Sequence, residues 1–93
     1  MPVVKPPFRL AVAAVFLDGE AREAGEILVL LQKDYAGEKI CTLPTIEDSL
    51  QNLKAVGILI FSPDDSTGAR YALSRHGRDK VLRALGERRT LHS

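Results

Sequence analysis

The sequence predicts a mainly α-helical domain that carries one small β-hairpin. Three features of its second half predict this class: an apolar stripe at helical spacing that ends at Gly57, two short hydrophobic segments around a polar turn, and an amphipathic segment after Ser74. A length of 93 residues fits one small domain. We expect residues 8–88 to form it, between a Pro-rich arm at residues 1–7 and a short tail at residues 89–93.

The first half of the chain predicts two helices. Residues 8–17 have an apolar stripe that includes Phe8, Val12 and Val15, and Asp18-Gly19 is a stop signal after them. A second helix is predicted around four apolar residues, Ile27, Leu28, Leu30 and Leu31. It is apolar on much of its circumference and is expected to be the most buried element.

A third helix is predicted over residues 44–56. Its apolar residues fall at spacings of four and three, at Ile46, Leu50 and Leu53. Thr42 is suited to cap it, although Thr45 followed by Asp48 offers a competing capping-box start. Gly57 then suits the left-handed conformation that closes a helix.

The last third of the chain predicts the hairpin and a fourth helix. Residues 58–61 are β-branched or aromatic in the main, residues 62–68 are rich in turn formers, and residues 69–73 resume a strand. Ser74 is positioned to cap the last helix, which Gly77 opens. The apolar side of this helix is supplied by Val81, Leu82 and Leu85.

Two segments carry a resemblance to a known family. LQNLKAVGIL resembles the end of the recognition helix and the exit glycine of PadR-like and MarR-like transcriptional regulators, and GARYALSRHG is similar to their wing return, with Ser74 where the family usually has Thr. The resemblance spans residues 8–86, and it implies a first helix at residues 8–17, a short strand at residues 21–23 that pairs with the wing, and a second helix at residues 24–35. It implies a winged helix-turn-helix of order α-[β]-α-α-β-wing-β-α, and a small regulator that reads double-stranded DNA with helix 44–56 in the major groove.

The third helix supplies the candidate base-reading residues. A step of 100° per residue places Asp48, Gln51 and Asn52 on the outer face, opposite the apolar stripe. Thr45 and Ser49 are expected to flank that face. Gln and Asn pair with adenine, Ser and Thr reach bases or phosphates, and an acid can accept from the cytosine amino group.

Arginines near the wing are the candidate phosphate contacts. The net charge of +1 is unevenly distributed: residues 1–65 carry six Lys/Arg and ten Asp/Glu, whereas residues 66–93 carry seven and two. The candidates for the DNA backbone are Arg22, Arg70, Arg75 and Arg78. Asp64 and Asp65 at the wing tip oppose DNA binding, and the structural alternative for Arg70 is pairing with these acids across the hairpin.

The alternative function is a winged-helix module that binds protein instead of DNA, with its acidic third helix and wing facing the partner. Enzyme activity is not expected, because His76 and His92 have no Asp, Ser or Cys at a spacing that suggests a triad. No motif indicates a metal, a cofactor or a small-molecule ligand, and Cys41 is read as a core residue. Without a long apolar run, we expect no membrane span and a cytoplasmic protein, with a homodimer as a possible assembly.

Overall fold

The computed structural model describes residues 7–90, with side chains described for residues 7–86. This part of the chain is mainly helical and carries a small two-stranded antiparallel hairpin, which confirms the coarse fold class predicted from the sequence. Residues 1–6 of the predicted arm and residues 91–93 of the predicted tail lie outside the described residues. Within residues 7–90, none of the helices combines the length and apolarity that a membrane crossing requires.

The order of the elements follows the prediction closely. Their bounds are α1 Phe8–Ala14, a 3₁₀ helix Val15–Asp18, α2 Ala24–Tyr35, α3 Leu43–Ala55, β1 Leu59–Phe61, β2 Tyr71–Leu73 and α4 Arg75–Thr90. The last helix thus begins two residues before Gly77 and continues into the residues expected to form the tail.

The first predicted helix divides into two parts. The α-helical hydrogen bonding of α1 ends at Ala14, and the tighter 3₁₀ helix continues to Asp18 before Gly19 closes it with φ of 86°. In a 3₁₀ helix, residues three apart lie above one another. Phe16 therefore follows Ala13 into the core, and Val15, which was predicted on the buried stripe, is only half-buried.

The second helix, α2, has its predicted bounds but not its predicted burial. A capping box starts it, in which the Glu23 backbone N–H donates to the Glu26 side chain at 3.0 Å. Its buried residues form a single stripe at spacings of four, namely Ile27, Leu31 and Tyr35. Val29 is 64% exposed, so the expectation that this helix is the most buried element is wrong.

The third helix, α3, starts at the first of the two predicted caps. The Thr42 hydroxyl accepts from the Thr45 backbone N–H at 3.4 Å, and Pro44 lies in the first turn. Its buried stripe packs on α1, α2 and β1. The largest fully buried side chains around it come from five elements and are Phe16, Ile27, Ile46, Leu50, Leu59 and Val12.

The end of α3 is a Schellman motif, which turns the chain into β1. Gly57 has φ of 82°, as predicted, and its N–H donates to the Lys54 carbonyl at 3.1 Å. The Ile58 N–H reaches back to the Leu53 carbonyl at 2.9 Å. This pair of bonds satisfies two carbonyls at the end of the helix and requires the left-handed residue between them.

The hairpin pairs Leu59 with Leu73 and Phe61 with Tyr71. On the other edge of β2, Arg22 and Tyr71 exchange two backbone hydrogen bonds of 2.9 Å in an isolated bridge. The short strand predicted at residues 21–23 is therefore present as this single bridge. It ties the connection between the first two helices to the hairpin.

The start of α4 is capped as predicted, but Gly77 has a different role. The Ser74 hydroxyl accepts from the Gly77 N–H at 2.9 Å, which places Gly77 in the first turn instead of at the helix start. A Cβ at position 77 would collide with the backbone of Ile58. Val81 is buried, whereas Leu82, predicted on the same apolar side, is 47% exposed.

We expect Leu50→Ala and Leu53→Ala each to lower the free energy of unfolding by about 2 to 4 kcal/mol, because each leaves a cavity in the core. Gln51→Ala, on the exposed side of the same helix, should change it by no more than about 0.5 kcal/mol. Denaturant unfolding measures all three. An equal effect at Gln51 and Leu50 would contradict the orientation of α3.

We expect Gly77→Ala to lower the free energy of unfolding by about 3 kcal/mol, since the added Cβ forces α4 away from Ile58. Gly25→Ala in α2 is the matched control, because a Cβ there meets open space. That control should be neutral or stabilising by up to about 1 kcal/mol. Thermal unfolding followed by circular dichroism separates the two outcomes.

Candidate nucleic-acid interface

The exposed side of α3 carries most of the residues predicted to read bases. Asp48, Gln51 and Asn52 are all exposed, and Ala55 continues the same side towards the end of the helix. These residues lie opposite the stripe that packs into the core. The helix therefore presents one open, largely polar surface about two turns long.

Ser49 does not belong to that surface, so its predicted position beside the exposed face is wrong. It is 7% exposed and lies with the buried side of α3. The reason is its spacing, three residues after Ile46 and four before Leu53, which places it between these two core residues on the helix. Its hydroxyl is turned away from any ligand that approaches the exposed side.

Thr45 is half-buried, and its hydroxyl is engaged in the start of the helix. Its Oγ1 lies 2.9 Å from the Thr42 Oγ1, and its backbone N–H makes the capping bond. A contact from Thr45 to a base or phosphate would have to compete with this local hydrogen bond. Asp48, Gln51 and Asn52 are left as the accessible polar residues of the predicted base-reading set.

The hairpin lies directly beside α3. The Lys54 ammonium nitrogen lies 4.5 Å from the centroid of the Phe61 ring, within the range of a cation–π contact. Phe61 in turn packs against Tyr71 with ring centroids 5.1 Å apart. Helix and hairpin are thereby joined through one chain of side-chain contacts, which the sequence did not reveal.

The loop between the strands is organised around one of its two acids. The Asp65 carboxylate accepts from the Thr67 N–H at 3.0 Å and the Thr67 hydroxyl at 2.7 Å through one oxygen. Its other oxygen accepts from the backbone N–H groups of Ala69 at 3.1 Å and Arg70 at 2.8 Å. The hydrogen bonds that the carboxylate accepts, above all from the Thr67 hydroxyl and then from the backbone amides, hold the pKa of Asp65 below its usual 3.8.

These hydrogen bonds reduce the repulsion that the acidic loop would exert on DNA phosphates. The Asp65 charge is directed inward onto four donors, and Asp64 is the exposed carboxylate of the pair. Among the described residues, no ion pair joins the Arg70 side chain to either acid. The pairing considered as the alternative for Arg70 is replaced by a bond from its backbone.

Two of the four predicted phosphate-binding arginines are already occupied within the domain. Arg22 forms a salt bridge with Asp18, and its side chain is 19% exposed. The Arg78 guanidinium donates to the Leu17 carbonyl at 3.1 Å. Both arginines therefore hold the 3₁₀ helix in place. The hydrogen bond between Arg78 and Leu17 spans 61 positions of sequence, so one sequence alone gave no indication of it.

The other two arginines, Arg70 and Arg75, are exposed and form no ion pair with a described residue. Arg70 lines a groove of about 480 Å³ together with three acids, Glu20, Asp64 and Asp65. The positive charge of Arg70 is therefore accompanied by three carboxylates in this groove. Arg75 lies at the start of α4 and does not line this groove.

The cysteine and the two histidines noted in the sequence lie outside the candidate interface or outside the described residues. Cys41 is half-buried against the core and His76 is exposed, while His92 lies outside the described residues. Within the described part of the chain, no three His, Cys, Asp or Glu side chains come together in a way that suits a metal ion.

The chain matches no protein-family model, no curated protein and no solved structure. Its functional proposal therefore rests on its own sequence and geometry.

We expect Asp65→Asn to speed amide hydrogen exchange at Ala69 and Arg70, because a side-chain amide cannot replace both carboxylate oxygens as acceptors. The matched control is Asp64→Asn, which removes the neighbouring carboxylate and should leave these amides protected. Because the pKa of Asp65 is lowered in the folded state, the stability that its hydrogen bonds contribute is fully present above pH 3.8. That stability is lost as the pH falls through the lower folded pKa. Exchange that is unchanged in Asp65→Asn would contradict this role.

Proposed function

We propose that the domain is a winged helix that binds double-stranded DNA, with α3 as the base-reading helix and the hairpin as the wing. The observation that carries the proposal is the exposed polar side of α3, with Asp48, Gln51 and Asn52 in a row on a helix whose opposite side is locked in the core. An α-helix of this kind fits the major groove of B-form DNA.

The order and the contacts of the elements support this proposal. A strand segment at Arg22, two helices, the hairpin and a last helix follow one another as in a winged helix-turn-helix, and the hairpin packs beside α3 through Lys54 and Phe61. A transcriptional role and PadR-like or MarR-like kinship are parts of the same proposal, carried by the resemblance of the two sequence segments alone.

The electrostatics restrict how the domain would hold DNA. Arg22 and Arg78 are engaged with the 3₁₀ helix, so Arg70 and Arg75 are the residues we assign to phosphates. Two such contacts give weak binding that is sensitive to salt, because each releases about one condensed counterion. A dimer that binds two half-sites would double the number of these contacts.

A protein partner is the second candidate, and a separate observation favours it. Val56 after α3 and Ile60 and Phe61 of β1 are exposed apolar side chains, and the last two lie on opposite faces of the hairpin. Ile60 shares its face with its strand partner Ala72, which lines the acidic groove beside Arg70, so this face suits a partner surface that is partly apolar and partly basic. This candidate retains the winged-helix fold and predicts no salt-sensitive affinity for any duplex.

We expect Arg70→Ala combined with Arg75→Ala to weaken binding to all duplexes alike and to reduce the slope of log affinity against log salt by about one to two units. Lys33→Ala combined with Arg83→Ala is the matched control, because it removes the same charge from exposed positions on α2 and the middle of α4. Fluorescence anisotropy with a labelled duplex at several salt concentrations measures both slopes. If the wild-type protein shows no salt-sensitive affinity for any duplex, the DNA proposal fails and the protein-binding module replaces it.

We expect Asn52→Ala to reduce the preference for a selected site by about 1 to 3 kcal/mol while non-specific binding stays nearly constant, since a base contact carries sequence information and a phosphate contact does not. The site is first selected from a random duplex library with the wild-type protein. Ser49→Ala is the control, because this residue is buried and away from the exposed side. An equal loss on selected and random duplexes would contradict base reading by Asn52.

A further inference from the structure

A second surface feature lies between α1, the end of α3 and α4. It is a groove of about 420 Å³ whose floor and walls are aliphatic. The lining side chains are Pro7, Leu10, Ala13, Leu53, Ile58, Val81 and Ala84, with the two cations Arg9 and Lys80. None of the polar residues of the candidate nucleic-acid interface takes part in it.

The chemistry of this lining restricts what can bind there. It contains no aromatic ring, no hydroxyl, no side-chain amide and no carboxylate, so an occupant finds aliphatic contacts and two positive charges. The favourable free energy of burying a saturated chain against such walls is roughly proportional to the apolar area removed from water. A ligand with further polar groups would leave them without hydrogen-bond partners among these side chains.

The two cations select the charge of the occupant. Arg9 lies on α1 and Lys80 on α4, both are exposed, and neither pairs with another described residue. A carboxylate at the edge of the groove has two oxygens that can accept from these donors. The basic N-terminal segment of this chain, with Lys5 two residues before Pro7, is a poor electrostatic match for the same place.

The size of the groove favours a small molecule over a protein segment. Its volume falls in the usual range of small-ligand sites, about 300 to 1,000 Å³. A stable protein interface takes about 20 to 30 residues from each partner, far more than the residues that line this groove. We propose that the groove binds a saturated aliphatic monocarboxylate, with the chain along the aliphatic walls and the carboxylate between Arg9 and Lys80.

The test uses the full chain without DNA, so its outcome is separate from that of the DNA-binding experiments. Decanoate is titrated below its micelle concentration and followed by NMR of the methyl groups, with octanoate and hexanoate for comparison. We expect saturable shifts at Leu10, Leu53, Ile58 and Val81, and a Kd that rises about tenfold for each pair of buried methylenes removed. Decyltrimethylammonium, with the same chain and the opposite charge, should bind more weakly.

Two variants locate the site. Arg9→Ala with Lys80→Ala should weaken decanoate binding by roughly three- to tenfold, as expected for two exposed charge pairs, whereas Lys33→Ala with Arg83→Ala should leave it unchanged. Ala84→Phe, at a half-buried position, should fill the groove and abolish the methyl shifts. Circular dichroism shows whether each variant is folded, and the charge variants keep the test valid if Ala84→Phe is not.

Four results would overturn the proposal. They are no saturable shift, equal binding of decyltrimethylammonium, shifts confined to the exposed side chains of Val56, Ile60 and Phe61, and contacts from the Val3 and Val4 methyl groups to the groove in the free protein. The last result would mean that the occupant is the chain's own N-terminal segment.

Discussion

The arrangement of the domain depends on the close approach of Gly77 to the backbone of Ile58. At this point the exit of α3, the start of β1, the end of β2 and the start of α4 meet. The Ser74 hydroxyl lies 2.6 Å from the Gly57 carbonyl oxygen and 3.0 Å from that of Ile58, so its single proton is directed at this pair. The same oxygen accepts from the Gly77 N–H and thereby caps α4.

This junction explains why two glycines and one serine are required so close together in space. Gly57 supplies the left-handed turn, Gly77 leaves room for the carbonyl of Ile58, and Ser74 joins both sides. This junction fixes the angle between α3 and the hairpin. Any ligand that contacts both the exposed side of α3 and the hairpin therefore meets two elements whose relative position is set by backbone contacts.

The sequence predicted those parts of the structure that depend on local rules. Helical spacing located α2 and α3, and the preference of glycine for positive φ located the turn at Gly57. It did not predict that Asp65 gathers four donors, because that requires the closed loop, nor that Arg22 and Arg78 brace the 3₁₀ helix. The error at Ser49 was avoidable, since helical spacing alone places it between Ile46 and Leu53.

The position of β2 between Arg22 and β1 leaves β1 as the edge strand among the described residues. β2 is paired on both edges, whereas β1 has its partner on one edge and an apolar sequence, Leu59–Phe61. An open apolar strand edge is a template for intermolecular sheets. Here the strand is three residues long and Pro63 follows two residues after it, so a second chain would find few backbone groups to pair with. The short length of the strand and the proline after it, without charged residues in the strand itself, therefore limit pairing at this edge.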